Sequence, residues 1–402
     1  MRVRRQATAT QVAALLLGAV LALAVPGLTG CATDPPRDVV AVALPSDAGR
    51  FGDLASVLRS RLTAEGFEVE VLVSDGEIPA QVQQVHDAFT DGVAALVVWP
   101  VDAEALTPVL DAAPPETEVL ALGVLVRDTA AVDDYVAFDA AAGGRLQAIA
   151  LLQGLGLVDD DGAPVVGTAG GAPAGAPAGP FRIELVAGST DDPATKPALA
   201  AAMDVLKPYL ASRTIVVGSG ETGLVEVATL RGNAETAASR MTRILRESYG
   251  DALPDAVLAT SDELARGVAT ALLEAGALPG EGFPVVTGRG SELRALAALV
   301  AGRQYATLLE DPRALAAAAA DAVVAARDAA RATPTPSATP EPEPDVPTVD
   351  VPTVDNGAAR VPVLLVPPVA VRLGDIDGVV IGSGYWTRER VDEAIVEYAL
   401  TP

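Results

Sequence analysis

The sequence predicts an α/β protein built from two successive doubly wound units, each with a parallel sheet covered by helices on both faces. Short Val-rich apolar runs alternate with segments whose apolar residues recur at helical spacing, which indicates repeated β-α-β units. This alternation restarts near residue 140, so the pattern comes in two halves. A chain of 402 residues also exceeds what one hydrophobic core usually supports.

The first half begins with the β-branched run DVVAVAL at 38–44, which is typical of a buried strand. The leucines between 54 and 62 recur at helical spacing and predict a helix. The run FEVEVLV at 67–73 alternates Glu with apolar residues, as in a strand with one more polar face. The remaining predicted elements of this half are helix 78–91, strand 93–98, helix 103–113 and strand 118–123.

The second half opens with a helix at 141–156, followed by helices that carry Leu199 and Met241. Two segments interrupt it, a Gly/Ala/Pro-rich stretch at 159–180 and a Pro-rich stretch at 332–355 that contains a tandem VPTVD. Such compositions bury too little apolar surface to offset the entropy of ordering, so we predict two mobile surface insertions. The predicted strands of this half are 181–187, 214–219, 256–260 and 284–288.

The first thirty residues have the features of an export signal. Three arginines in residues 1–5 precede an apolar run at 12–25, which is shorter than the about 20 residues of a membrane-spanning helix. The stretch LTGC, ending at Cys31, resembles a bacterial lipobox. It implies cleavage before Cys31, a diacylglycerol on the sulfur, and a protein held outside the cytoplasm by that lipid. The alternative is a chance cysteine after an ordinary signal peptide. We predict a signal peptide at 1–30 and a tether at 31–37.

Composition argues against several classes of function. The chain has 28 Lys and Arg against 53 Asp and Glu, and a net charge of −25 repels nucleic acid and anionic lipid headgroups. We favour the interpretation that this acidity is a compositional bias unrelated to the ligand. One Cys and one His (His86) are too few for a zinc site. Neither G-x-S-x-G nor S-x-x-K occurs. The stretch GSGETG at 218–223 is not followed by the acidic strand end that a dinucleotide site needs. We therefore predict a binding protein without cofactor, metal or nucleic acid, and not an enzyme; the alternative left open is catalysis by carboxylates alone.

Seven dispersed stretches carry a family resemblance, and they occur in this order: VAVALPSDAGRFGDL, LVVWPVDAEALTPVL, DYVAFD, LVAGSTDDPATKPALAAAMDVLKPY, DAVLATSDELARGVATALLEAG, PVVTGRGSELRALAALVAGRQYATLLEDPRALA and VLLVPPVAV. Together they resemble the periplasmic sugar-binding proteins of ABC transporters, most closely the xylose and multiple-sugar-binding branch. The resemblance implies the type I two-lobed fold with three hinge crossings. It places an N-lobe at 38–139 plus 311–365 and a C-lobe at 140–310 plus 366–402. It also implies a sugar-like ligand and an ABC permease as partner, and we expect a monomer.

Ligands of open parallel sheets bind beyond the carboxyl ends of the strands, so polar and aromatic residues at those positions are candidates. Several have a structural alternative: Asp102, Asp139 and Asp192 could each cap a following helix, and Arg50 could face solvent. The predicted ligand-binding residues are Arg50, Phe51, Trp99, Asp102, Asp139, Asp192, Ser261, Asp262, Arg289 and Glu310.

Several positions depart from the family pattern. Gly123 and Val124 stand where the family has an Asp-Arg pair, Trp99 replaces an asparagine, and Gly290 replaces an aspartate. Each lost charged hydrogen bond would weaken sugar binding by about 1.5–3 kcal/mol. Two hypotheses follow. One is a receptor with changed specificity, for a larger, less hydroxylated or charged ligand. The other is a degenerate receptor of the same fold that holds no small ligand and acts as an envelope interaction or sensor protein.

Overall fold

The computed structural model describes residues 38–165, 180–280, 282–332 and 352–400. The predicted signal peptide, the tether and Cys31 lie outside these residues, as do 166–179 and 333–351 of the two predicted insertions. Among the described helices, none combines the length and apolar character needed to cross a membrane.

The first sheet has seven strands within the described residues, in the order β11-β12-β5-β4-β3-β1-β2. All neighbours are parallel except β11, which pairs antiparallel with β12. The strands are β1 Val39–Leu44, β2 Glu68–Val73, β3 Ala95–Val98, β4 Glu118–Leu122, β5 Asp134–Phe138, β11 Thr353–Asp355 and β12 Arg360–Val366.

Helices cover both faces of this sheet because its central strands are apolar on both sides. Val40, Val42 and Leu44 of β1 face one core, and Ala41 and Ala43 face the other. The first core is closed by α1 (Arg50–Ala64) and α10 (Pro312–Ala332), and the second by α2 (Ile78–Asp91) and α3 (Ala103–Leu110).

The second sheet is parallel, in the order β7-β6-β8-β9. A single bridge from Thr287 to Ala306 links its edge to the antiparallel pair β10–β13. Helices α4 and α5 close one face, α7 and α8 the other, and α9 and α11 pack with β10 and β13. These elements are α4 Ala140–Gly154, β6 Phe181–Val186, α5 Thr195–Ala211, β7 Ile215–Val217, α6 Leu224–Val227, α7 Ala234–Ile244, β8 Ala256–Ala259, α8 Asp262–Glu274, β9 Val285–Val286, α9 Leu293–Val300, β10 Ala306–Leu309, β13 Val369–Arg372 and α11 Arg388–Leu400.

Within the described ranges the chain passes between the two sheets three times: after β5, after β10, and between β12 and β13. In both sheets the first strand along the chain lies between the second and the third: β1 lies between β2 and β3, and β6 lies between β7 and β8. This order creates a switch point, where ligands of open α/β sheets bind. The predicted α/β class, doubly wound in two halves, is confirmed.

Some short elements differ from the prediction. The strands predicted at 214–219 and 284–288 are only three and two residues long. Strand β11 lies inside the stretch that was predicted as an insertion at 332–355, because Val354 packs on the core of the sheet and Asn356 is fully buried behind it. The strand pattern of these few residues was not recognised in the sequence, because they directly follow a Pro-rich segment.

Candidate functional site

A cleft of about 1680 Å³ lies beyond the carboxyl ends of the strands of both sheets. Its volume exceeds the roughly 300–1,000 Å³ usual for small-molecule sites. Its walls include the β1–α1 connection and the end of β3 on one side, and the segments after β6, β9 and β10 on the other. Both halves of the chain therefore contribute side chains to the same space.

An aromatic corner forms one wall of the cleft. The rings of Phe51 and Trp99 meet edge to face, with their centroids 5.1 Å apart. The guanidinium of Arg50 lies 5.0 Å from the ring centroid of Phe51 and 5.3 Å from that of Trp99. This corner offers flat apolar surface with one cation beside it, a combination suited to a ring with an apolar face and a polar edge.

The opposite wall carries an ion pair. Arg289 Nη1 donates to Glu310 Oε1 at 3.4 Å, and the two side chains are only 17% and 19% exposed. Burial raises the pKa of Glu310 above its ordinary value, while the nearby Arg289 and Arg50 oppose that rise. The pair thus places one donor-rich and one acceptor group in a largely dry part of the cleft, where hydrogen bonds to ligand hydroxyls are strongest.

Asp139 and Asp192 line the cleft from opposite sides. Asp139 follows β5 and caps α4, since Ala142 N donates to its Oδ1 at 2.7 Å. Asp192 accepts a hydrogen bond from Ala194 N at 2.9 Å. Burial raises the pKa of Tyr135 to about 12, and the charge of Asp192 adds to that rise. Seven of the predicted residues, Arg50, Phe51, Trp99, Asp139, Asp192, Arg289 and Glu310, are therefore brought together.

Two predicted residues lie outside the cleft lining and cap helices instead. Asp102 Oδ1 accepts a hydrogen bond from Ala105 N at 2.9 Å at the start of α3. Ser261 Oγ accepts one from Leu264 N at 3.2 Å at the start of α8. A side-chain oxygen used as a cap satisfies a backbone donor that the helix itself leaves unpaired.

Asp262 also lies outside the cleft lining, in a buried polar network of the second sheet. Its carboxylate accepts hydrogen bonds from Thr307 Oγ1 at 2.7 and 2.9 Å and from Gln304 Nε2 at 2.9 Å. Burial raises its pKa from 3.8 to about 6, although these hydrogen bonds oppose the rise. Asp262 therefore joins α8 to β10 and its preceding turn.

Sequence reasoning missed several residues of the cleft, among them Tyr135, Tyr385 and Trp386. Of the 14 aromatic residues in the chain, six line the cleft when the described residues are considered. Both tryptophans are among them. In a chain with only 3% aromatic residues, the adjacent pair Tyr385–Trp386 was a usable signal. Among the described residues, no group of three or more His, Cys, Asp or Glu side chains is placed to hold a metal ion.

Two α/β halves that share a cleft define the class of ligand-binding receptors with a site between lobes. Residues 40–330 match the model of the family described as the periplasmic binding protein domain, and the chain belongs to this family.

The chain is 34% identical over 358 residues to the multiple sugar-binding periplasmic receptor ChvE of Rhizobium radiobacter, with 88% of this chain and 92% of that protein covered. It is 32% identical over 354 residues to the multiple sugar-binding periplasmic protein SbpA of Azospirillum brasilense, with 87% and 90% covered. An ABC transporter solute-binding protein from Clostridium phytofermentans, solved with bound β-D-glucose, superposes with a TM-score of 0.67 at 29% identity, covering 88% of this chain and 99% of that one. The resemblance found in the sequence is confirmed.

Proposed function

We propose that this protein is an extracytoplasmic receptor that binds a sugar between its two lobes and delivers it to an ABC-type importer. The observation that carries the proposal is the shared cleft, in which an aromatic corner on one side faces the partly buried Arg289–Glu310 pair on the other. Flat apolar faces and charged hydrogen-bonding groups together match the two kinds of surface on a sugar ring. Relatives named for sugar binding support the same conclusion.

Ligand capture requires closure of the cleft, and we propose that the three crossings between the sheets act as the hinge. The moving bodies are the N-lobe, residues 38–139 plus 311–365, and the C-lobe, residues 140–310 plus 366–402. Closure would bury the ligand against both walls and expel water, which strengthens the polar contacts. The work of the protein is then binding and release, without catalysis.

A lipid on Cys31 would hold this receptor at the outer side of the cell membrane. We expect the anchored receptor to be a monomer. The full chain should then fractionate with membranes, and a Cys31→Ser variant should not carry the diacylglycerol. Mass spectrometry of the mature amino terminus checks the modification directly. An unmodified Cys31 in the mature protein would contradict the anchor while leaving sugar binding untouched.

Calorimetry on the purified full-length chain tests the sugar assignment. We expect saturable binding of D-glucose or another monosaccharide from a panel of hexoses, pentoses, polyols and nucleosides. Arg289→Ala should weaken that binding by about tenfold or more, because a charged hydrogen bond is worth about 1.5–3 kcal/mol.

Arg266→Ala is the matched control, since Arg266 pairs with Glu263 at 2.6 Å on the outer surface and does not line the cleft. Its affinity should equal that of the parent. The absence of any heat across the whole panel would overturn the receptor function.

A further inference from the structure

The backbone that carries Trp99 is held at three points. Trp99 N donates to Ala43 O at 2.9 Å. Gln81 lies on α2 and is only 1% exposed, and its side chain bridges residues 99 and 101. Its Nε2 donates to Trp99 O at 2.9 Å, and its Oε1 accepts from Val101 N at 2.8 Å. The intervening Pro100 has no N–H and restricts the residue before it to extended conformations. The main chain at Trp99 therefore has little freedom.

The indole ring lies directly over Gly123 at the end of β4. A Cβ at position 123 would come within 2.5–2.7 Å of Cη2, Cζ2 and Cζ3 of Trp99. No side chain of residue 123 can coexist with this placement of the ring. The Trp99 ring thus occupies the space that a side chain at the end of β4 would otherwise fill.

We propose that Gln81 and Gly123 are positioning residues that fix Trp99 as a rigid, specificity-determining wall of the cleft. This inference rests on the proposed function in treating the cleft as a sugar site. It restricts which ligands fit, because the side of the ligand that faces the end of β4 meets an indole instead of a hydrogen-bonding side chain. The ligand must present an apolar C–H face there and direct its hydroxyls toward Arg289 and Glu310.

A double-mutant cycle without ligand tests the contact between Trp99 and Gly123. Gly123→Ala should lower the melting temperature by about 2 °C or more in the parent, because the new methyl group collides with the ring. The same substitution in a Trp99→Ala background should cost much less. Gly123 has a φ of +74°, and the strain that alanine suffers there is present in both backgrounds and cancels. Equal losses in the two backgrounds would overturn the steric coupling.

The role of Gln81 is tested with Gln81→Leu, and Gln84→Leu is its matched control. Gln84 lies one turn later on α2, and its Nε2 donates to Val73 O at 2.8 Å, away from Trp99. Gln81→Leu loses a buried amide and Gln84→Leu a partly buried one, and both should lose stability. In a Trp386→Phe background, where Trp99 is the single tryptophan, only Gln81→Leu should lower the anisotropy of the tryptophan emission. Equal anisotropy in the two variants would overturn the positioning role.

Binding of D-glucose completes the test. We expect Gln81→Leu and Trp99→Ala to raise the Kd about tenfold, and Gln84→Leu to leave it within about twofold. Unchanged affinity in Gln81→Leu and Trp99→Ala would overturn the role of Trp99 as a ligand wall. Failure of the parent itself to bind any sugar would count against the proposed function, whereas the melting cycle and the anisotropy would still decide whether Trp99 is fixed.

Discussion

At the scale of single residues, Asp262 makes stability depend on pH. Its pKa is raised from 3.8 to about 6 by burial, so the native state binds the proton more tightly than the unfolded state does. The free energy of unfolding should therefore fall, by about 3 kcal/mol from this one group, as the pH rises from about 4 to about 6. Asp262→Asn removes this titration. Chemical denaturation of both proteins at pH 4, 5, 6 and 7 measures the difference.

Asp321→Asn serves as the control for this experiment. Asp321 is 70% exposed, and its pair with Arg61 at 3.2 Å lies on the surface. Surface pairs contribute little, so the control should follow the pH dependence of the parent. A pH slope in Asp262→Asn equal to that of the parent would show that the Asp262 carboxyl does not titrate in this window.

The sequence allowed residues at strand ends to be found, but not the partner of each. Arg50, Trp99 and Arg289 were predictable because the carboxyl ends of parallel strands meet at one edge of a sheet. Asp102 follows a strand in the same way, yet its oxygen caps α3. The position of a residue after a strand therefore does not show whether its side chain caps a helix or contacts a ligand. The contact between Trp99 and Gly123 also escaped prediction, because the sequence does not show that the indole turns across the end of the neighbouring strand.

At the scale of helices and strands, we expect alanine substitutions at two adjacent glycines of α4 to change the stability in opposite directions. A Cβ at Gly144 would lie 1.9 Å from Ala198 O of α5, because the two helices approach closely there. Gly144→Ala should therefore lower the free energy of unfolding by about 1–3 kcal/mol or more. A Cβ at Gly143 meets only ordinary contacts at 3.6 Å or more. Gly143→Ala should raise stability by up to about 1 kcal/mol through helix propensity.

Gly143→Ala is thus the matched control for Gly144→Ala, with the same substitution in the same helix. Urea denaturation of the two variants and the parent gives both values. Similar stabilities in the two variants would contradict the close packing of α4 on α5.

The turn between β11 and β12 depends on Asn356. Its Nδ2 donates to Val126 O at 3.2 Å and to Thr129 O at 2.7 Å, which ties the turn to the loop after β4. Asn356→Asp keeps the shape but places a carboxylate against two carbonyl oxygens. It should cost about 2–4 kcal/mol, since two donors are lost and a charge is buried. Hydrogen exchange should also become faster in residues 124–131.

The other asparagine of the chain provides the control. Asn233 caps α7 by accepting a hydrogen bond from Thr236 N at 3.0 Å. Aspartate is an equally good cap, so Asn233→Asp should be nearly neutral. An equally small effect of Asn356→Asp would contradict the role of the Asn356 amide as a donor.

Elements with several turns or a full apolar run were predicted close to their observed bounds, whereas the shortest strands were predicted too long, as for β9, or missed, as for β11. Helix α2 and strand β1 carry enough residues for their period to stand out. Strand β9 has only two residues and β11 three, too few to show an alternation. Pairing with a neighbouring strand, which the sequence does not display, decides whether such segments are strands.

At the scale of the whole molecule, the charge of the cleft has the same sign as the charge of the chain. Among the described residues, nine carboxylates and three arginines line the cleft. Arg289 is paired with Glu310, so its charge is partly neutralised. The chain as a whole carries −25. A ligand that enters this cleft therefore meets a negative potential, which is strengthened between two low-dielectric walls.

This potential predicts discrimination against sugar acids. D-Glucuronate should bind about tenfold or more weakly than its neutral amide, D-glucuronamide, because the two differ by one charge at the same position. The difference should shrink as NaCl is raised from 20 mM to about 500 mM, since the screening length falls below the width of the cleft. Calorimetry at both salt concentrations, with D-glucose as the reference ligand, measures it. If glucuronate binds as well as the amide at low salt, an arginine of the cleft recognises the carboxylate directly. Arg127→Ala and Arg50→Ala, both residues of the cleft lining, would then identify which one.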